Sequence, residues 1–158
     1  MPQIEHSITI NRPVGEVFRF VADFRNDPQW QKDVVEVHQS DGSTRIGSMI
    51  TETRNSRVWT WRLDLNADVV DYQPNKLIEF KGVIGQFPVL GRYEFSFSRG
   101  TTQFTQSLDI RIGFLYMLFS PFIRGAVMRR TKNSMEALKQ MLEARGSSGV
   151  SPIPQAEA

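Results

Sequence analysis

Between Val34 and Ile112 the chain alternates apolar and polar residues through segment after segment, and one amphipathic stretch, Pro121–Arg145, then closes it. That order constrains the fold more than any other feature. Alternation with period two puts one face of a strand in a core and the other in water. Trp59, Trp61, Leu63 and Leu65 occupy every second position, with Thr60, Arg62 and Asp64 between them. The pattern slips by one residue at Val69 and Val70, which predicts a β-bulge near Asn66–Asp68. Asp41-Gly42, Asn55-Ser56, Pro74-Asn75 and Arg99-Gly100 supply turn chemistry between the runs. Gly85–Gly91, interrupted by Pro88, is expected to be a loop joining strands Leu77–Ile84 and Arg92–Ser98.

Ahead of this tract, Ile4–Ile10 forms a first strand, with His6 among the isoleucines of one face. Pro13 opens a helix over Pro13–Val21, whose apolar face is Val14, Val17, Phe18 and Val21. Asp27 as N-cap and Pro28 at the first helical position predict a second short helix carrying Trp30. At the other end, Ile123, Val127, Thr131, Met135, Leu138 and Leu142 recur at helical spacing, and Gly146 is expected to terminate that helix. The remaining residues, 146–158, are rich in Ser, Pro and Ala without periodicity and are expected to be a disordered tail behind a domain of residues 1–145.

Composition removes several function classes. The 158 residues contain no cysteine, so disulfides and thiolate chemistry are excluded. A net charge of +2 is too small for a nucleic-acid surface. The apolar stretch 112–123 is broken by Gly113, Ser120 and Pro121, well short of the roughly 20 residues a membrane span needs. The N-terminus runs straight into a strand pattern, so a cytoplasmic location is expected.

Ile8-x-Ile10-Asn11-Arg12-Pro13, Glu16-Val17-Phe18, Trp30, Ile46-Gly47, Pro74 and Leu138-Lys139-x-x-Leu142-Glu143 stand in an order that resembles the helix-grip superfamily. That superfamily contains START-like lipid-transfer domains, the birch pollen allergen and the polyketide cyclase/dehydrase-like proteins. The resemblance implies an α+β fold. A curved antiparallel sheet of seven strands would grip the long C-terminal helix, with two short helices after the first strand. It also implies a cavity for lipids, sterols, quinones or polyketides, and in some members cyclisation chemistry.

Candidate ligand contacts follow from the alternation. Trp59, Trp61, Phe80, Tyr93, Phe95, Phe97 and Phe104 are expected on the concave face, where aromatic side chains either line a pocket or fill a core. Gln106 and, beside Val127, Thr131 interrupt apolar stripes with polar groups that need partners. Phe87, Pro88, Phe114 and Tyr116 are expected to gate the cavity. The apolar run 114–119, followed by Arg124, Arg129, Arg130 and Lys132, is also compatible with transient membrane contact.

No catalytic constellation, phosphate loop or metal-ligand set is legible, so no cofactor or metal is expected. His6 and Tyr93 are the acid–base candidates. The strand carboxylates Glu52, Asp64, Glu79, Glu94 and Asp109 are expected mostly on the outer face. Three functions remain open: a binder of a hydrophobic or amphipathic small molecule, a cyclase or dehydratase, and a protein-interaction module whose partner the sequence does not name.

Overall fold

A computed structural model describes residues 3–55, 62–111, 113 and 120–148, and the side chains of 4–55, 62–111, 113 and 121–146. The elements run β1 (Gln3–Ile10), α1 (Val14–Ala22), a 3-10 turn (Phe24–Asn26), α2 (Asp27–Trp30), β2 (Val34–Gln39), β3 (Met49–Asn55), β4 (Arg62–Gln73), β5 (Leu77–Ile84), β6 (Phe87–Ser98), β7 (Thr101–Ile110) and α3 (Ser120–Ser148). All pairings are antiparallel, in one seven-stranded sheet of order β1-β7-β6-β5-β4-β3-β2. This is the helix-grip architecture expected from the alternation and the resemblance.

Each strand from β2 to β7 pairs antiparallel with its sequence neighbour. The exception is β1, which returns to the β7 edge, with Ile8 opposite Phe104 and Ile10 opposite Thr102. α3 lies over β1 and α2, fixed by Lys139 Nζ donating to Thr9 O at 2.6 Å and Asn11 N donating to Glu143 Oε1 at 2.8 Å.

Several local expectations are corrected. The bulge lies at Val69–Asp71 in the β4–β5 pairing, not at Asn66–Asp68, where β3 and β4 stay in register. The extra residue, Val70, points to solvent, and the shift returns Tyr72 to the inner face, opposite Ile78. The Gly85–Gly91 segment is no loop. Gly85 and Gln86 alone make the turn, with Gly85 at φ +61°, and Phe87 and Pro88 begin β6. Gly91 sits inside β6 because the ring of its cross-strand partner Phe80 occupies its side-chain space, 2.1 Å from where a Cβ would stand. Gly146 does not end α3, which continues to Ser148, and Arg12 packs where its side chain would be.

Gly82 offers the sharpest test of this close packing. A Cβ there would lie 1.9 Å from the backbone oxygen of Asn66 on β4. Gly82→Ala should therefore part the β4–β5 pairing and lower stability in urea unfolding by about 1–3 kcal/mol, as overpacking does. Gly42→Ala, where nothing lies within 4 Å, should leave the midpoint unchanged.

Candidate functional site

The inner face of the sheet meets three successive aromatic residues from the helical segment. Phe18 of α1 packs edge-on against Tyr72 and Phe95, with ring centroids 5.5 and 5.1 Å apart. Phe24 of the 3-10 turn lies 5.9 Å from Phe80 and also stacks on Tyr93. Trp30 of α2 lies 6.2 Å from Phe104. The strand aromatics Phe80, Tyr93, Phe95 and Phe104 are thus brought together, but against other rings, and at this end they form packed core. Phe97 shares their strand parity, lies beyond the reach of α1 and is 55% exposed. Toward the β5–β6 turn the inner face stays apolar but becomes half-buried, through Leu63, Ile84, Phe87, Leu108 and Ile110.

A group of buried polar side chains, from elements far apart in sequence, adjoins the packed rings. Asp27 of α2 is 0% exposed and Glu52 of β3 is 1% exposed. Arg54 donates through Nη2 to Glu52 Oε2 at 2.5 Å and to Gln31 Oε1 at 3.0 Å, and through Nη1 to Asp33 Oδ2 at 3.2 Å. Arg130 of α3 approaches the same Asp33 oxygen to 3.1 Å, an ion-pair contact without hydrogen-bond alignment. Tyr93 stands beside this group on β6, buried.

Asp27 is therefore no helix cap. Its carboxyl turns inward, with Oδ1 accepting from Trp30 Nε1 at 3.2 Å while Oδ2 has no partner. An orphaned buried carboxylate oxygen is costly. Protonation resolves it, because a protonated Oδ2 can donate to the adjacent Glu52 carboxylate. Consistently, burial first, then the charge of Glu52 and a hydrogen bond with it, raises the Asp27 pKa well above the usual carboxylate range. Burial, with Asp27 and Glu52 nearby, likewise raises that of Tyr93. Burial opposes the charge on Arg54, but Glu52, Asp33, Tyr93 and Asp27 outweigh it and its pKa is raised. Arg130 is lowered to about 10 by burial and by the charge of Arg54, and so stays cationic near neutral pH. Two guanidiniums thus face the Glu52 and Asp33 carboxylates, and burial favours the uncharged form of Asp27.

The earlier candidates fall around this cluster unevenly. His6, Gln106, Tyr93 and Ile78 are successive cross-strand partners on the inner face, with His6 half-buried and Gln106 buried. On α3, Thr131 is buried and Val127 half-buried. Phe87 is half-buried on the inner face and Pro88 is exposed on the outer one. Trp59, Trp61, Phe114 and Tyr116 lie outside the described residues. Glu52 is an exception to the expectation that the strand carboxylates mostly face outward. Its signal was present, since Ile50-x-Glu52-x-Arg54 continues an apolar face at period two. Among the described residues no group of His, Asp and Glu could hold a metal ion, and no helix is long and apolar enough to cross a membrane.

A curled antiparallel sheet closed by one long helix, with a buried polar cluster facing an apolar wall, defines a helix-grip protein. The chain belongs to the family described as polyketide cyclase/dehydrase and lipid transport, whose model matches residues 1–143. Among solved structures it resembles the Zhui aromatase/cyclase from Streptomyces sp. R1128, at 14% identity and TM-score 0.74, covering 94% of this chain and 98% of that one. It also resembles the di-domain aromatase/cyclase BexL from the BE-7585A biosynthetic pathway, at 20% identity and TM-score 0.71. There it covers 90% of this chain and 47% of BexL, so the chain spans about half of that protein. Ara h 8.0201 matches at 9% identity and TM-score 0.66, over 90% of this chain and 98% of that one. These likenesses establish the fold. No curated protein matches the sequence.

Two substitutions test the cluster. Removing a buried cation that three acceptors share strands those partners, so Arg54→Met should cost about 3–5 kcal/mol in chemical denaturation. Asp27→Asn imitates the protonated acid. Because the folded pKa of Asp27 is raised, its contribution in the wild type is lost as pH rises from the ordinary carboxylate range toward the raised value. The stability difference between Asp27→Asn and wild type should therefore grow in favour of the variant across that window and vanish in acid. Parallel pH–stability curves would contradict the shared proton.

Proposed function

We propose that the protein binds a hydrophobic or amphipathic small molecule, of lipid, quinone or polyketide type, between the inner face of the sheet and α3. The observation that carries this reading is the composition of that face. A half-buried apolar wall, with Ile84, Phe87, Leu108 and Ile110, runs up to a buried polar cluster, so one interior offers both apolar area and hydrogen-bonding groups. Family membership supports the same class of ligand. Gln106, Thr131 and Tyr93 are the polar contacts and Val127 an apolar one. In this reading Phe87 and Pro88 belong to the mouth.

The cluster also favours a second reading, as a cyclase or dehydratase. Two neighbouring buried carboxyls, that of Asp27 with a raised pKa, and Tyr93 beside them are groups that can hold and return a proton. The two readings separate under Asp27→Asn, which preserves shape and removes the proton. A binder should keep its affinity for a polyketide-like probe in that variant, whereas turnover should be lost.

Native mass spectrometry of the purified protein is expected to find a co-purifying apolar molecule, or a one-to-one adduct with an added apolar probe. A protein that takes up no such molecule would refute the reading. Hydrogen exchange locates the mouth. Amides of 84–88 and 114–119 should exchange faster than the central strands and slow together when the probe is added. Protection confined to other segments would place the mouth elsewhere.

A further inference from the structure

α3 changes character along its length. Its second half buries Thr131, Ser134, Met135, Leu138 and Leu142. Over residues 121–130 no side chain is fully buried, and Pro121, Phe122, Arg124, Gly125 and Arg129 are exposed. Phe122 is 81% exposed, more than any other large hydrophobic side chain among the described residues. At 3.6 residues per turn, Phe122, Arg129 and Lys132 fall within one arc of about 80°. All three are exposed. Among the described residues of this half, Arg130 alone meets a carboxylate, that of Asp33. From Ile110 to Met135 the sequence holds no Asp or Glu but has Arg111, Arg124, Arg129, Arg130 and Lys132. In a chain of net charge +2, that is a local concentration of positive sign.

We propose that this exposed face of α3, carrying Phe122, Arg129 and Lys132, docks on the surface of an anionic lipid bilayer. An exposed ring beside cations that meet no carboxylate among the described residues fits that surface on both counts. The ring enters the headgroup boundary, and the cations meet lipid phosphates and carboxylates. A nucleic acid would use the cations but not the ring. The docking is independent of what the interior binds, and the two are measured separately.

The test is co-sedimentation of the whole protein with vesicles of phosphatidylcholine alone and of phosphatidylcholine mixed with phosphatidylserine. Binding is expected to the mixed vesicles only and should weaken as salt rises. Arg129→Gln and Lys132→Gln should each reduce partitioning by about fivefold, the factor that corresponds to one basic residue near an anionic surface. Phe122→Ser should reduce it at unchanged charge. Probe binding by the interior and the urea midpoint should stay at wild-type values in all three, since these side chains are exposed. Equal sedimentation with neutral vesicles, or none with either kind, overturns the proposal. So does undiminished binding of Phe122→Ser, which would reduce the effect to attraction for any polyanion. The salt dependence of the wild type decides the electrostatic part without any variant.

Discussion

A guanidinium held among three acceptors joins the layers of this protein. Arg54 stands on β3, and its partners include Gln31 and Asp33 from the chain just after α2 as well as Glu52 two residues away on its own strand. Taking such a charge out of water is unfavourable, and it persists only where every neighbour compensates it. Here the compensation extends to a third layer, because Arg130 of α3 reaches the same Asp33 carboxylate. Sheet, short helix and long helix are therefore registered by charge as well as by apolar contact. Burial and the neighbouring Glu52 carboxylate oppose a charge on Asp27, whose pKa is raised accordingly.

This arrangement explains why the interior is divided. On one side of the cluster the rings of Phe18, Phe24 and Trp30 interlock with those of β6 and β7, and little freedom remains. Toward the β5–β6 turn the inner face continues as half-buried apolar side chains.

Much of the fold was legible because its signals are local. Period-two runs, proline-opened helices and turn dipeptides each sit within a few residues of what they determine. The misread points were those where tertiary contact overrode local chemistry. Asp27 has the sequence dress of a cap, yet its carboxyl is drawn inward by Trp30. Gly85, Pro88 and Gly91 read together as a loop, but only Gly85 turns the chain. Gly146 carries a helix-stop signal that docking against Arg12 sets aside. The cluster itself was hidden for a simple reason. Its members stand between positions 27 and 130, each looks like a surface residue alone, and only the fold assembles them. Glu52 and Arg54 were the exception, since they extend the parity of Ile50, and parity outranks polarity when the two disagree.

The pairing of Phe80 with Gly91 reaches beyond this one molecule. The ring on β5 fills the volume that a side chain on β6 would take, so the two positions share one allotment of space. Neither can drift alone. A larger residue at 91 demands a smaller one at 80, and a shrunken 80 leaves a hollow that only growth at 91 refills. Across descendants of this chain the two sites should therefore vary as one character, with ring and glycine exchanged together or kept together.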